Sequence, residues 1–249
     1  MLTRVSGTQR ATRLPRENTG AAMDPRTHWQ KVYTTKKPTE VSWYQPRAVL
    51  SLSMIRRVAP DHLAAIIDVG GGASTLVDGL LGDGYSRVTV LDVSAAALAE
   101  ASARLAADAR RVRWLEANVL DTVLPASAYD VWHDRAVFHF LTEMADRRRY
   151  VEQVRASVHP GGYVIVATFA SDGPAKCSGL EVARYAPQEL HGQFGPDFQL
   201  LESAREEHHT PAGAVQPFIY CLCRVGADLP IGQRPTEGPP PAPTRPAGP

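Results

Sequence analysis

The run from Ile66 to Ala73, I-I-D-V-G-G-G-A, constrains the fold more than any other part of this chain. A continuous apolar stretch that breaks into glycines reads as a strand buried on both faces that opens into a loop, with a helix to follow. Glycines at a strand end let the backbone come close to a ligand that side chains would push away. Downstream, V-T-V-L-D ends in Asp92, 22 positions after Gly70 (92 − 70). That is close to the roughly 20 expected for an acid accepting hydrogen bonds from ribose hydroxyls in a strand–loop–helix–strand nucleotide cradle. A dinucleotide fold would place a third glycine at position 75. Thr75 stands there, which weakens a pyrophosphate reading and favours a cofactor that carries a ribose without phosphate.

The rest of the chain repeats the alternation. Leu63–Val69 and Arg87–Leu91 are expected as strands, with A-S-T-L-V-D-G-L-L between them as a crossover helix. Ser94 sits at an N-cap position, and Leu98, Ala101 and Leu105 share one face of a helix ending near Asp108. Val112–Leu115 and Tyr129–Trp132 are expected as the third and fourth strands. Tyr150, Val151, Val154 and Val158 mark an amphipathic helix stopped by His159-Pro160-Gly161-Gly162, and Y-V-I-V-A-T-F is the fifth strand. After residue 180 a short helix over Pro187–His191 is followed by F-Q-L-L-E-S and V-Q-P-F-I-Y-C-L-C-R-V, strands with no helix between them. The prediction is an α/β, Rossmann-like doubly wound sheet of seven strands, mostly parallel, with a C-terminal antiparallel hairpin.

With 249 residues, 44% hydrophobic content and a net charge of +1, the chain can bury one full core and has no basic stripe to suit nucleic acid. No apolar stretch reaches membrane-spanning length, and three cysteines are too few for a disulfide framework. Neither nucleic acid nor membrane is expected as a partner, and a reducing cytoplasm is the expected home. Residues 1–23, arginine-rich and without an apolar core, are expected to be a disordered leader. Residues 226–249, with eight prolines in 24 positions, are expected to be a disordered tail. Cys221 and Cys223 share a strand face and read as small core residues. Glu206-Glu207-His208-His209 reads as a rim between the last two strands rather than a metal site, since adjacent residues of an extended chain point in opposite directions.

The segment from about Trp29 to Arg224 resembles the class I, seven-stranded S-adenosylmethionine-dependent methyltransferases. The resemblance implies that residues 24–225 are one such domain, with a lid over about 24–50. It implies that Gly70, Gly71 and Gly72 run past the amino-acid part of the cofactor and that Asp92 holds its ribose. Asp68 would either take its amino group through water or only tie down the loop, and Asn118 of Ala117-Asn118-Val119 would stand where the family commonly has an adenine-binding aspartate. Trp43 and His133 would complete the cofactor site. Y-D-V-W-H-D-R-A-V-F-H-F-L-T, Tyr129–Thr142, is similar both to thiopurine-type thiol methyltransferases (Asp134-Arg135, then Asp146-Arg147 and Tyr150) and to lysine methyltransferases of elongation factors and citrate synthase. Both have glycine where this chain has Ala136. The resemblance makes Asp134 and His133 candidate catalytic residues and Tyr44, Asp134, Arg135 and His139 candidate acceptor-binding residues, with W-x-x-x-Y (Trp29–Tyr33) and Trp43-Tyr44 in the lid.

The expected activity is methyl transfer to a nucleophilic N, S or O atom without a metal. A small-molecule acceptor is preferred because no docking domain is evident; a protein lysine is the alternative. A nicotinamide-dependent oxidoreductase and a non-catalytic relative are rivals, disfavoured by Thr75 with the terminal hairpin and by the presence of Gly70, Gly72 and Asp92 respectively.

Overall fold

The computed structural model describes residues 24–226; the leader and the tail after Gly226 lie outside them. Seven strands form one sheet: β1 (Ala65–Val69), β2 (Arg87–Asp92), β3 (Val112–Glu116), β4 (Tyr129–Arg135), β5 (Val158–Phe169), β8 (Phe198–His209) and β9 (Val215–Val225). Their order is β3-β2-β1-β4-β5-β9-β8, and a separate two-stranded hairpin, β6 (Lys176–Cys177) and β7 (Leu180–Glu181), lies between β5 and β8 in sequence. The first five strands are parallel; β9 runs antiparallel to β5 and to β8.

Each central strand is buried on both faces, as its apolar run requires. Every residue of β1 is buried. Ile66 faces a core shared with Leu52 and Ile55 of α2 (Val49–Val58) and Leu76 and Leu80 of α3 (Leu76–Gly82). One residue on, Ile67 faces the opposite core, with Trp132 of β4 and Tyr150 and Val154 of α5 (Met144–Ser157). Ser94 caps α4 (Ala95–Leu105), its hydroxyl accepting from the Ala97 N–H. α1 (Pro25–Thr35) precedes the first strand, and α6 (Pro187–Gly192) stands before the hairpin.

Several boundaries differ from those the sequence suggested. β1 starts at Ala65, not Leu63: Leu63 is 67% exposed, and its N–H is held by the Asp61 carboxylate in a turn. β4 runs on through His133, Asp134 and Arg135, so these residues belong to a central strand rather than to the loop after it. α5 stops at Ser157; Val158 already opens β5, and His159–Gly162 continue it past an irregularity opposite Tyr129 and Val131. α4 ends at Leu105, where Ala106 takes a positive φ of 50° and a 3-10 turn follows. Glu206–His209 lie within β8, not between the last two strands.

β1 pairs with β2 on one side and β4 on the other, so the chain reverses its winding there. Open α/β sheets bind ligands beyond the carboxyl ends of strands at such a point. Asp68, Asp92, His133 and Asp134 all converge on it.

Candidate active site

The glycine loop is shaped by what it must leave room for. Gly70 and Gly71 donate their N–H groups to the Leu91 carbonyl at 2.7 and 3.3 Å, bending the chain off β1 against β2. Gly70 sits at φ +68°, where a Cβ would come 2.0 Å from Val137. A Cβ at Gly71 would lie 2.4 Å from Asp68 Oδ2, and one at Gly72 would lie 2.6 Å from Asp92 Oδ2. Two of the three glycines therefore make space for the two carboxylates. Thr75 donates its hydroxyl to the Gln45 carbonyl at 3.0 Å, so the position that lacks the dinucleotide glycine anchors the N-terminal segment instead.

Asp92 is 7% exposed and lines the larger of two adjoining cavities. The Ser94 N–H donates to its Oδ1 at 2.8 Å, and a carboxylate has acceptor capacity for more donors than that. Burial pushes its pKa up to about 7, with a smaller push in the same direction from Asp68. Asp68 is tied on one side only. His133 Nδ1 lies 2.7 Å from its Oδ1, while Oδ2 is buried without a hydrogen-bond partner among the described residues. On the far side of the ring, His133 Nε2 lies 2.8 Å from the hydroxyl of Ser51 on α2. With Nδ1–H donating to the carboxylate, Nε2 accepts from Ser51. The chain has the connectivity of a hydrolytic triad, yet Ser51 is 1% exposed and 2% of His133 reaches solvent. Its evident effect is to fix the Asp68 carboxylate beneath the glycine loop.

Asp134 has a different place from the one its neighbours in sequence suggested. It is fully buried and lines neither cavity. Its Oδ1 accepts from Val137 N–H at 2.8 Å, its Oδ2 from Phe138 N–H at 3.0 Å, and the Tyr150 hydroxyl donates to Oδ2. Trp132 Nε1–H in turn donates to Tyr150 at 2.8 Å. Every oxygen is occupied in holding the turn after β4, where Ala136 stands at φ +73°. Burial raises the Asp134 pKa to about 6 against the opposing pull of Tyr150 and the backbone N–H groups. The Asp134 carboxylate is thus a brace for the loop, with both oxygens engaged within the protein. His139 is similarly displaced: it is fully buried, packed between Phe140 and Phe169, with neither ring nitrogen partnered among the described residues. Burial drives its pKa down to about 3, so it stays neutral behind the cavity wall.

The larger cavity, about 240 Å³, runs from Gly70, Asp92 and Asn118 to Trp29 and Phe140; the smaller, about 50 Å³, contains Asp68, Gly71, His133 and Tyr44. Tyr33, Trp43, Gly70 and Arg135 border both. Asn118 reaches the cavity, but its side chain closes a turn, Nδ2–H to Asp121 at 2.7 Å and Oδ1 from Leu120 N–H at 3.0 Å. The N-terminal segment forms the roof. Gln30 accepts from Ser94 Oγ and Ala96 N–H, both at 3.1 Å, and Arg26 pairs with Glu116. A clamp that sequence reasoning missed holds the stretch from Ser42 to Gln45. Arg135 donates to the Trp43 carbonyl (3.2 Å), Tyr220 Oη (2.9 Å) and Glu206 (3.2 Å), and its guanidinium lies 4.1 Å over the Phe218 ring. Gln45 donates to the same Glu206 at 2.9 Å, and His208 Nε2 lies 2.7 Å from the Ser42 carbonyl. Alternation along β8 could have placed Glu206 and His208 on one face, but only the fold brings that face to the roof. Ser51 carried no signal in the sequence.

Replacing Asp134 by Ala leaves two buried N–H groups and the Tyr150 hydroxyl unpaired, which outweighs relief of the desolvated charge. The expected loss is about 2 kcal/mol of unfolding free energy. Urea denaturation measures it, and Asp134→Asn, which keeps an acceptor for the turn, should lose less.

Residues 67–164 match a family described as a methyltransferase domain. A protein of Mycobacterium tuberculosis named as an uncharacterized methyltransferase is 30% identical over 132 residues, 51% of this chain, as is its counterpart in Mycobacterium bovis. The chain spans 61% of the length of these curated relatives. Among solved structures, a 1,6-didemethyltoxoflavin N1-methyltransferase from Burkholderia thailandensis, with its acceptor and S-adenosylhomocysteine bound, superposes with a TM-score of 0.63 at 20% identity, over 81% of this chain and 87% of that one. The N-methyltransferase NodS of Bradyrhizobium japonicum gives 0.61 at 15% identity, over 81% and 99%. The [4+2]-cyclase SpnF gives 0.59 at 15% identity, over 81% and 92%, so the fold by itself does not dictate the reaction. The match over residues 67–164 and the seven-stranded sheet make this chain similar to S-adenosylmethionine-dependent methyltransferases of this fold.

Proposed function

We propose that this protein binds S-adenosylmethionine across its two cavities and transfers the methyl group to a small-molecule nucleophile. The observation that carries the reading is the pair of buried carboxylates under the glycine loop. Asp92 faces the larger cavity with acceptor capacity to spare, and Asp68 Oδ2 lacks a partner beside the smaller one. A ligand with vicinal hydroxyls at one end and an ammonium group at the other satisfies both. A buried, partnerless carboxylate oxygen is costly unless something charged completes it. The sulfonium supplies an activated methyl group. The protein's work is to align the acceptor with it and to exclude water.

Within this reading each element has a task. Ser51 and His133 hold Asp68 toward the ammonium, and the glycine loop lies along the amino-acid portion. Asp92 takes the ribose. Asn118 flanks the adenine mainly through its turn backbone, because its side chain is engaged within the turn. Trp43 and Tyr44 close the roof as a lid, latched by Glu206 and Arg135. A small acceptor is favoured over a protein lysine because hydrogen bonds pin the roof at Ser42, Trp43 and Gln45 over the two cavities. One structural neighbour, the 1,6-didemethyltoxoflavin N1-methyltransferase, is named for a small-molecule acceptor, which supports this choice. The cytoplasmic setting proposed with it is compatible with the absence, among the described residues, of any helix long and apolar enough to cross a membrane.

Calorimetric titration with S-adenosylhomocysteine, with NADH as comparison, tests the cofactor assignment: saturable binding of the first alone is expected, and binding of NADH alone would overturn it. Asp92→Ala should weaken that binding by about 1.5–3 kcal/mol through loss of charge-assisted hydrogen bonds.

The raised Asp92 pKa gives this binding a pH dependence with a definite sign. Ribose hydroxyls donate best to the ionised carboxylate, so the ligand favours the form that is scarce below pH 7 in the free protein. Affinity should rise by up to about tenfold from pH 6 to pH 8 and then level off, with proton release on binding near pH 7. Asp92→Asn should abolish the dependence; a flat profile in the unaltered protein would mean that Asp92 is already ionised at pH 6.

Breaking the latch should free the roof. In Glu206→Ala, trypsin is expected to cut after Lys36 or Arg47 faster than in the unaltered protein, and S-adenosylhomocysteine should slow the cutting.

A further inference from the structure

Three polar side chains on three different elements line up across a buried, largely apolar layer. Asp68 lies on β1, His133 is its register partner on β4, and Ser51 lies on α2, where the other buried residues are Leu52, Met54 and Ile55. A hydroxyl on a buried helix face, where alanine would pack as well, costs free energy unless it is bonded. Its partner here is His133 Nε2, at 2.8 Å. An ionised carboxylate can only accept, so Asp68 Oδ1, 2.7 Å from Nδ1, requires the ring proton there and leaves Nε2 to accept from Ser51. Held on both nitrogens, the ring is fixed in rotation and in tautomer. Asp68 then keeps Oδ1 on the imidazole and Oδ2 under Gly71, so close that a Cβ at position 71 would lie 2.4 Å from it.

The polar group around Asp134 is closed, since both carboxylate oxygens have donors within the protein. The chain from Ser51 through His133 to Asp68 is open at one end. Oδ2 has no hydrogen-bond partner among the described residues, and Ser51, Asp68, Gly71 and His133 all border the smaller cavity. A buried network left half satisfied is worse for stability than an apolar core, so an open end at a cavity wall serves a ligand rather than the fold. Resting on the cofactor reading above, we infer that Ser51 is a positioning residue for the amino-acid end of the cofactor. By fixing the tautomer and rotation of His133 it aims Asp68 Oδ2 at the ligand's ammonium, and it thereby sets the preference for ligands that carry an ammonium over nucleosides that lack one. Without the Ser51 hydroxyl, Nε2 is buried and unpaired, the ring loses its second anchor, and the carboxylate loses its fixed aim.

Calorimetric titration of Ser51→Ala tests this with two ligands: S-adenosylhomocysteine, and methylthioadenosine, which keeps the nucleoside and the thioether but lacks the amino-acid end. Affinity for S-adenosylhomocysteine should fall about tenfold while that for methylthioadenosine is unchanged, and Ser51→Thr, which keeps the hydroxyl, should retain the first. A residue that only packs α2 against the sheet would weaken both ligands alike or neither, and either result overturns the inference while the cofactor reading stands. If Ser51→Ala does not fold, the unaltered protein gives the answer by nitrogen NMR of its labelled histidine rings. The signals that His133→Asn removes should show Nδ1 protonated and Nε2 bare; a proton on Nε2 would make Ser51 an acceptor and overturn the inference. If S-adenosylhomocysteine does not bind the unaltered protein, the cofactor reading falls and the inference with it.

Discussion

Three carboxylates, Asp68, Asp92 and Asp134, are buried at the carboxyl edge of three neighbouring parallel strands, and the arrangement around that edge follows from how each is accommodated. A buried carboxylate must be bonded or must give up its charge. Asp134 is fully satisfied by two backbone N–H groups and a tyrosine. Asp68 is half satisfied, bonded to His133 on the neighbouring strand and left open on its second oxygen. Asp92 is bonded by the helix cap that follows it and otherwise faces a cavity. The first therefore braces structure, and the other two are left with capacity for a ligand.

The same requirement explains the loop between them. Side chains at positions 71 and 72 would occupy the space of Asp68 and Asp92, so glycine there is dictated by the carboxylates as much as by any ligand. The His133–Ser51 contact carries the order outward to α2, making a helix that contributes no catalytic group a support for the site. On the other side, Arg135 at the end of β4 joins the C-terminal hairpin to the roof. Its cost of burial is offset by three acceptors and an aromatic face, and one of those acceptors, Glu206, also holds Gln45. The terminal hairpin thus completes the sheet and fixes the segment that covers the cavities.

Much of this was legible in the chain. Uninterrupted apolar runs separated by helical patterns gave away the parallel sheet, because strands covered on both faces cannot alternate. The two strands after residue 187, with no helix between them, gave away the terminal hairpin. The edges of elements were less legible. Whether His133 and Asp134 end a strand or begin a loop depends on the pairing of β4 with β5, which reaches Arg135 opposite Ala167. The helix does end just before His159–Gly162, at Ser157, but that segment forms the irregular opening of β5, flanked by the pairs Tyr129–Val158 and Val131–Tyr163, rather than a loop.

The amino-acid sequence by itself determined the sheet, its glycine loop and the carboxylate at Asp92, because these follow from local pattern and from spacing along one strand–helix–strand unit. Tertiary structure alone decided which polar residues face the cavity. Asp134 and His139 stand beside His133 and Arg135 in sequence, yet the first is consumed by the turn after β4 and the second is sealed between phenylalanines. Glu206 and Ser51, more than 150 residues apart, act on the same site from opposite sides. Side-chain direction at a strand end, and the partner waiting there, are set by contacts between segments far apart in the chain, and no local pattern encodes them.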